Sequence, residues 1–152
     1  MRRLSGMVLA GAILMLPAFS QNAGVQAQAP QKLTMEGDLA LWSVAIRPDK
    51  TADFEKIMGK IKEALSKSEA AEAKQQLAGW KVVKMSKPMP DGNIIYTHVI
   101  TPVKDADYNI LQVLYATFKD PAEQKELYEM YRGAFAANLG ISSGTVAADL
   151  SK

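Results

Sequence analysis

The amino-acid sequence predicts an α+β domain whose elements follow in the order β-α-β-β-α-β, with each helical stretch broken once. Two runs rich in β-branched and aromatic residues, Trp80 to Lys87 and Asn93 to Thr101, flank an Asp91-Gly92 turn and predict a central hairpin. On either side of it apolar residues recur at helical spacing, from Phe54 to Leu65 and from Tyr108 to Phe135. Strand-like runs stand at both ends, Leu39 to Arg47 and Thr145 to Leu150.

The N-terminal residues precede this pattern. Arg2 and Arg3 are followed by a 13-residue apolar stretch, Met7 to Phe19, and then by a small and polar run to Ala29. That is the layout of an export signal, and it is too short to span a bilayer, which takes about 20 apolar residues. Val25-Gln26-Ala27 offers small or modest side chains to a signal peptidase, so the signal peptide is assigned to residues 1–27. Export by the general secretory or the twin-arginine route then leads to a periplasmic or secreted protein with no stable membrane insertion. Residues 28–38, polar and carrying Pro30 and Gly37, read as a leader, and the domain occupies residues 39–152.

Within the domain, Leu39, Leu41 and Ala45 share one parity of the first strand and Trp42, Val44 and Ile46 the other, so both of its faces call for cover. Pro48 ends it, and Asp49 or Thr51 is placed to cap a helix with Phe54, Ile57, Met58, Ile61 and Leu65 on one stripe. Ser66-Lys67-Ser68-Glu69 has the form of a capping box and predicts a second helix through Leu77, stopped at Gly79. In the hairpin's second run Ile94, Tyr96, His98 and Ile100 share one face, and Ile95, Thr97, Val99 and Thr101 the other. Asp105 and Asp107 precede a helical stripe from Tyr108 to Phe118, where acids complement the helix dipole. Asp120-Pro121-Ala122-Glu123 supplies an N-cap, Pro at the first helical position and a reciprocal Glu, and the helix that follows is expected to reach Gly140. Val146, Ala148 and Leu150 alternate in the closing strand.

Composition bounds the chemistry. The 152 residues are 48% apolar and 22% charged, which suits one globular core. Without Arg2 and Arg3 the exported chain carries sixteen basic and sixteen acidic side chains. That balance argues against nucleic acid as a partner, and Lys81, Lys84 and Lys87 read as protection of a strand edge. The absence of Cys excludes disulfides, thiol nucleophiles and thiolate metal sites, and a single His excludes a His cluster. No metal and no cofactor is expected. Asp105-Ala106-Asp107-Tyr108-Asn109 imitates the opening of a calcium loop, but Ile110 stands where the loop needs Gly and Ala116 where it needs the bidentate Glu.

A four-stranded sheet with helices on one face leaves its other face bare, and strands apolar on both faces predict that two such faces pair in a homodimer. In this the chain resembles the dimeric α+β barrel superfamily of ferredoxin-like domains, the group that holds the antibiotic-biosynthesis-type monooxygenases. The resemblance covers about residues 39–150 and rests on element order and on Trp80-Lys81-Val82-Val83, Pro88-Met89-Pro90-Asp91-Gly92-Asn93 and Asp107-Tyr108. Within that superfamily the chain is similar to exported bacterial proteins of unassigned function. Haem-degrading members place a His on a helix, whereas His98 lies in a strand run.

Candidate functional residues follow from these limits. His98 and Tyr96, two apart on one strand face, are the candidates for catalytic proton transfer, with a His packed in a sheet or interface as the structural alternative. Trp42, Tyr108, Tyr115 and Tyr131 are the ligand-binding candidates, because buried phenols seek hydrogen bonds and could line a cavity for a small apolar or aromatic molecule. The same helical spacing serves a plain core. The expected function is therefore an exported small-ligand-binding or interaction domain without an identifiable catalytic set. The alternatives are a cofactor-independent oxygenase or isomerase acting on a small aromatic or polyketide-like substrate, and a structural accessory protein.

Overall fold

Strand β1 (Leu39–Ile46) lies in the interior of a four-stranded antiparallel sheet ordered β2-β3-β1-β4, in a computed structural model that describes residues 32–150. The export signal assigned to residues 1–27 lies outside the described residues. After β1 come α1 (Thr51–Lys67), α2 (Ala73–Gly79), β2 (Trp80–Lys84), β3 (Ile94–Ile100), α3 (Ile110–Thr117), α4 (Pro121–Ala134) and β4 (Phe135–Gly144). The chain is thus α+β, with two broken helical stretches, and its architecture is broadly consistent with a ferredoxin-like fold. No helix among the described residues is long and apolar enough to cross a membrane.

Local chemistry explains most boundaries. Gly92 takes φ +85° in the hairpin, its N–H donating to the Met89 carbonyl at 2.9 Å, a conformation that an L side chain resists. The Asp120 carboxylate accepts the Glu123 N–H at 2.8 Å and Pro121 occupies the first helical position, so α4 starts where its sequence says. Neither Asp49 nor Thr51 caps α1. A 3-10 turn over Pro48–Lys50 feeds it, and Lys50 stands at the cap position without a side-chain capping hydrogen bond, its ammonium instead reaching Asp53 in the first turn at 3.0 Å.

Other boundaries differ from expectation. Ser66 is still inside α1, where its hydroxyl donates to the Lys62 carbonyl at 2.7 Å, so the predicted capping box does not form and α2 begins only at Ala73. Asp105 and Asp107 sit ahead of α3 rather than in its first turn. Asn109 caps that helix by accepting the Gln112 N–H, while the Asp107 carboxylate ties the approach by accepting the Leu33 and Asn109 N–H groups. Packing also begins ahead of Leu39, since Met35 belongs to the core and Leu33 packs against it.

The largest correction is at the C-terminus. The expected helix to Gly140 stops at Ala134, and the last strand runs over Phe135–Gly144 instead of Thr145–Leu150. The Ala134 carbonyl accepts the Arg47 N–H, and pairing with β1 starts at once with Phe135 opposite Ile46. Two register shifts leave Ala136 and Leu139 unpaired, which breaks the alternation that would mark a strand, and β1 supplies the hydrogen bonds that local propensity does not. Val146 and Leu150, expected in the sheet, are exposed, Leu150 almost fully.

The sheet has two unlike faces. Ala40, Trp42, Val44 and Ile46 of β1 join Tyr96, His98 and Ile100 of β3 under the helices, against Phe54, Ile57 and Ile61 of α1 and Leu114 of α3. Leu39, Leu41, Ser43 and Ala45, opposite Val99, Thr97 and Ile95 of β3, point to the face that no helix covers.

Candidate functional site

Strand alternation puts Tyr96 and His98 on the helix face, and both are buried. His98 is fully enclosed by rings. It stacks on Trp42 with centroids 4.7 Å apart, meets the edge of Phe54 at 6.1 Å, and accepts the Trp80 indole N–H through Nδ1 at 2.9 Å. Since Nδ1 accepts, the neutral ring carries its proton on Nε2, which has no hydrogen-bond partner. Burial pushes the His98 pKa down to about 4, because a charged imidazolium would be stranded among apolar rings. A base this weak and this enclosed is suited to packing rather than to drawing protons from a bound molecule.

Tyr96 leads elsewhere. Its hydroxyl donates to Glu55 Oε1 at 2.6 Å, and Lys84 reaches the same oxygen at 3.0 Å. The bonds from Tyr96 and then Lys84 hold the Glu55 carboxyl below its usual range, while burial and then Glu55 raise the phenol. The trio joins α1 to β2 and β3 at the rim of the sheet, and Tyr96 and His98 share no hydrogen bond. Phe54 stands against both rings.

The ligand-binding candidates divide. Trp42 and Tyr108 belong to one aromatic chain that runs Trp42, His98, Trp80, Tyr108, with successive centroids 4.7, 5.7 and 5.3 Å apart. The Tyr108 hydroxyl accepts the Val103 N–H at 3.0 Å and Trp42 Nε1 donates to Asn138 at 3.1 Å, so each polar tip has a partner within the protein. Tyr131 stacks edge-on with Phe135 at 4.6 Å, and burial pushes its phenol up to about 12. Tyr115 stands apart, its hydroxyl donating to the Gln124 carbonyl between α3 and α4. Apart from Tyr115, these rings pack between sheet and helices.

The open side of the sheet is different. Leu39, Leu41, Val83 and Met85 are each about 40% exposed there, an unusual group of large apolar side chains on one surface. At its centre Ser43 and Thr97 satisfy one another, their hydroxyls 2.9 Å apart. Lys81 is the one charged residue that the paired register of the four strands brings to this face. Along its β4 side a groove of about 320 Å³ is lined by Leu39, Leu41, Gly144 and Val146 among others. Val83 and Met85 were legible in principle, because with the hairpin register fixed they must share the parity of Ile95, Thr97 and Val99.

Among the described residues no three His, Asp or Glu side chains come together as a metal site. Compared with known proteins, the chain matches no protein-family model, no curated protein and no solved structure.

Proposed function

We propose that this chain is an exported, non-catalytic interaction domain of ferredoxin-like topology that pairs with a second copy of itself through the open sheet face, in the manner of a dimeric α+β barrel. The observation that carries the reading is the exposure of Leu39, Leu41, Val83 and Met85 together on the face that no helix covers. Each of these side chains is already about three-fifths covered, so burying the remainder gains about 0.6 to 1.2 kcal/mol apiece, two-fifths of what a fully exposed one would gain. A second copy is the occupant that fits. The face is nearly uncharged, so it offers nothing to nucleic acid or to an acidic partner, and two copies meet without like-charge repulsion at the centre.

The enzyme reading draws less support, because His98 and Tyr96 are committed to Trp80 and Glu55 within a filled core. Sedimentation equilibrium of the exported, processed chain at micromolar concentration tests the proposal. A dimer is expected for the wild type and a folded monomer for Leu41→Asp, which places a charge in the middle of the face. A folded, soluble wild-type monomer would sink it.

A further inference from the structure

Among the described residues the sheet ends in two free edges, and only one of them is guarded. β2, at one end, carries Lys81 and Lys84 and is followed by Lys87 and Pro88, the charges and proline that keep a strand edge from pairing. At the other end, the fourteen residues from Phe135 to Ala148 contain neither a charge nor a proline. Register shifts blunt the first half of β4, but Gly140 to Gly144 stand opposite Ser43 to Leu39 in an unbroken ladder, and Ile141 is exposed. We propose that this unguarded edge, over residues 141–147, pairs antiparallel with the same residues of a second copy and forms the seam of the dimer.

Backbone hydrogen bonding carries the proposal. Asp38, just ahead of β1, donates its N–H to the Gly144 carbonyl and accepts the Val146 N–H on its carboxylate, each at 2.9 Å. Both bonds lie on the β1 side, so strand alternation turns the N–H and C=O groups of Ser143 and Thr145 outward, where no further strand stands. The same bonds hold the chain in line with β4 beyond its last residue, as far as Val146. The outward groups fix the register. With Ser143 of each copy opposite Thr145 of the other, and Ile141 opposite Ala147, every outward pair can exchange both of its bonds. The two-fold axis then falls at Gly144, where the strands meet without side chains.

A second copy is the occupant because the run is uncharged, pairs with itself about that axis, and borders the open face. Val146 lines the same groove as Leu39 and Leu41. The inference rests on the reading of that face as a self-pairing surface and names its seam. Joined at this edge, the two sheets present their open faces on the same side of one eight-stranded surface. Gly140, with φ +102°, and Gly144 are the residues at which such a surface can bend to bring the faces together.

The test uses the exported, processed chain. Ser143→Pro removes an outward N–H and no bond to β1, a substitution that a strand edge tolerates. Sedimentation equilibrium should show its dimer weakened about tenfold or more, because each copy loses a bond at the seam. Gly144→Cys introduces the chain's only thiol, and a Cβ at this position meets nothing within 4 Å. Across a non-hydrogen-bonded pair two such residues have Cα atoms about 4.5 Å apart, within reach of a disulfide. Mild oxidation should therefore give a covalent dimer from Gly144→Cys and none from Val82→Cys on the guarded edge. A folded Ser143→Pro dimer of undiminished affinity, or cross-linking of Gly144→Cys no faster than that of Val82→Cys, would overturn the seam, and if Ser143→Pro does not fold the cross-link alone decides. In that event a wild-type dimer dispersed by Leu41→Asp keeps the pairing of the faces, whereas a wild-type monomer removes face pairing and seam together.

Discussion

The two faces of one sheet, built from alternate residues of the same strands, have unlike fates. On β1, Ala40, Trp42, Val44 and Ile46 are buried beneath helices, while Leu39 and Leu41, no less apolar, remain about two-fifths exposed. Side-chain chemistry does not separate the two sets; parity does. The helix face has been closed by large rings whose polar tips are tied off one at a time, Trp42 to Asn138, Trp80 to His98, Tyr96 to Glu55 and Tyr108 to Val103, and only Nε2 of His98 is left without a partner. On the open face the central hydroxyls of Ser43 and Thr97 are satisfied by each other, and the apolar groups around them are left without cover. One face is covered by the chain's own helices except at its edges, where Val82 and Ile141 stay about 40% exposed, and the other is covered by none.

The contrast is broken most directly on its closed side. Phe54 of α1 touches Tyr96, His98 and Phe135, so Phe54→Ala opens a cavity at the junction of both strand pairs and the last strand. A loss of about 3 to 5 kcal/mol is expected from urea unfolding, a large share of the 5 to 15 kcal/mol typical of a domain. A loss below about 1 kcal/mol would mean that the rings are not packed as described.

A pH titration sharpens the same contrast. His98 stays neutral in the fold down to about pH 4, whereas the unfolded chain takes up its proton near pH 6.5. The resulting stability is complete above pH 6.5 and fades as the pH falls toward 4, below which the folded form binds the proton as well. About 3 kcal/mol is at stake across that window. Because the chain has one His, the slope of stability between pH 6.5 and 5 reports on this residue. His98→Gln should flatten it, with Gln able to keep an acceptor for Trp80.

How much of this was legible in the sequence depended on the range of the interactions. The hairpin turn and the start of α4 were readable because Gly92 and Asp120 act on backbone groups a few residues away. Asp120→Ala should accordingly cost about 1 kcal/mol, visible as a lowered thermal midpoint. Strand β4 was not readable, since its residues alternate poorly and its partner β1 lies far back in the chain, as the Trp42 bond to Asn138 across 96 positions shows. The rings were readable as a set but not in their grouping, which placed Trp42 beside His98 and left Tyr115 outside the aromatic chain.

The smallest expected change decides the most about the open face. Leu41→Thr removes apolar surface from that face while keeping a residue that suits a strand, so a lone molecule should lose no more than about 0.5 kcal/mol. If two faces meet, the wild type gains stability from association and its thermal midpoint climbs with protein concentration, whereas the midpoint of Leu41→Thr climbs less. The gap between the two proteins should therefore widen as they are concentrated, and a substitution on the helix face, such as Phe54→Ala, should not reproduce that widening beyond its own constant offset. A gap of constant size at every concentration would assign Leu41 to ordinary solvent exposure, and the asymmetry between the two faces would then belong to a molecule that works alone.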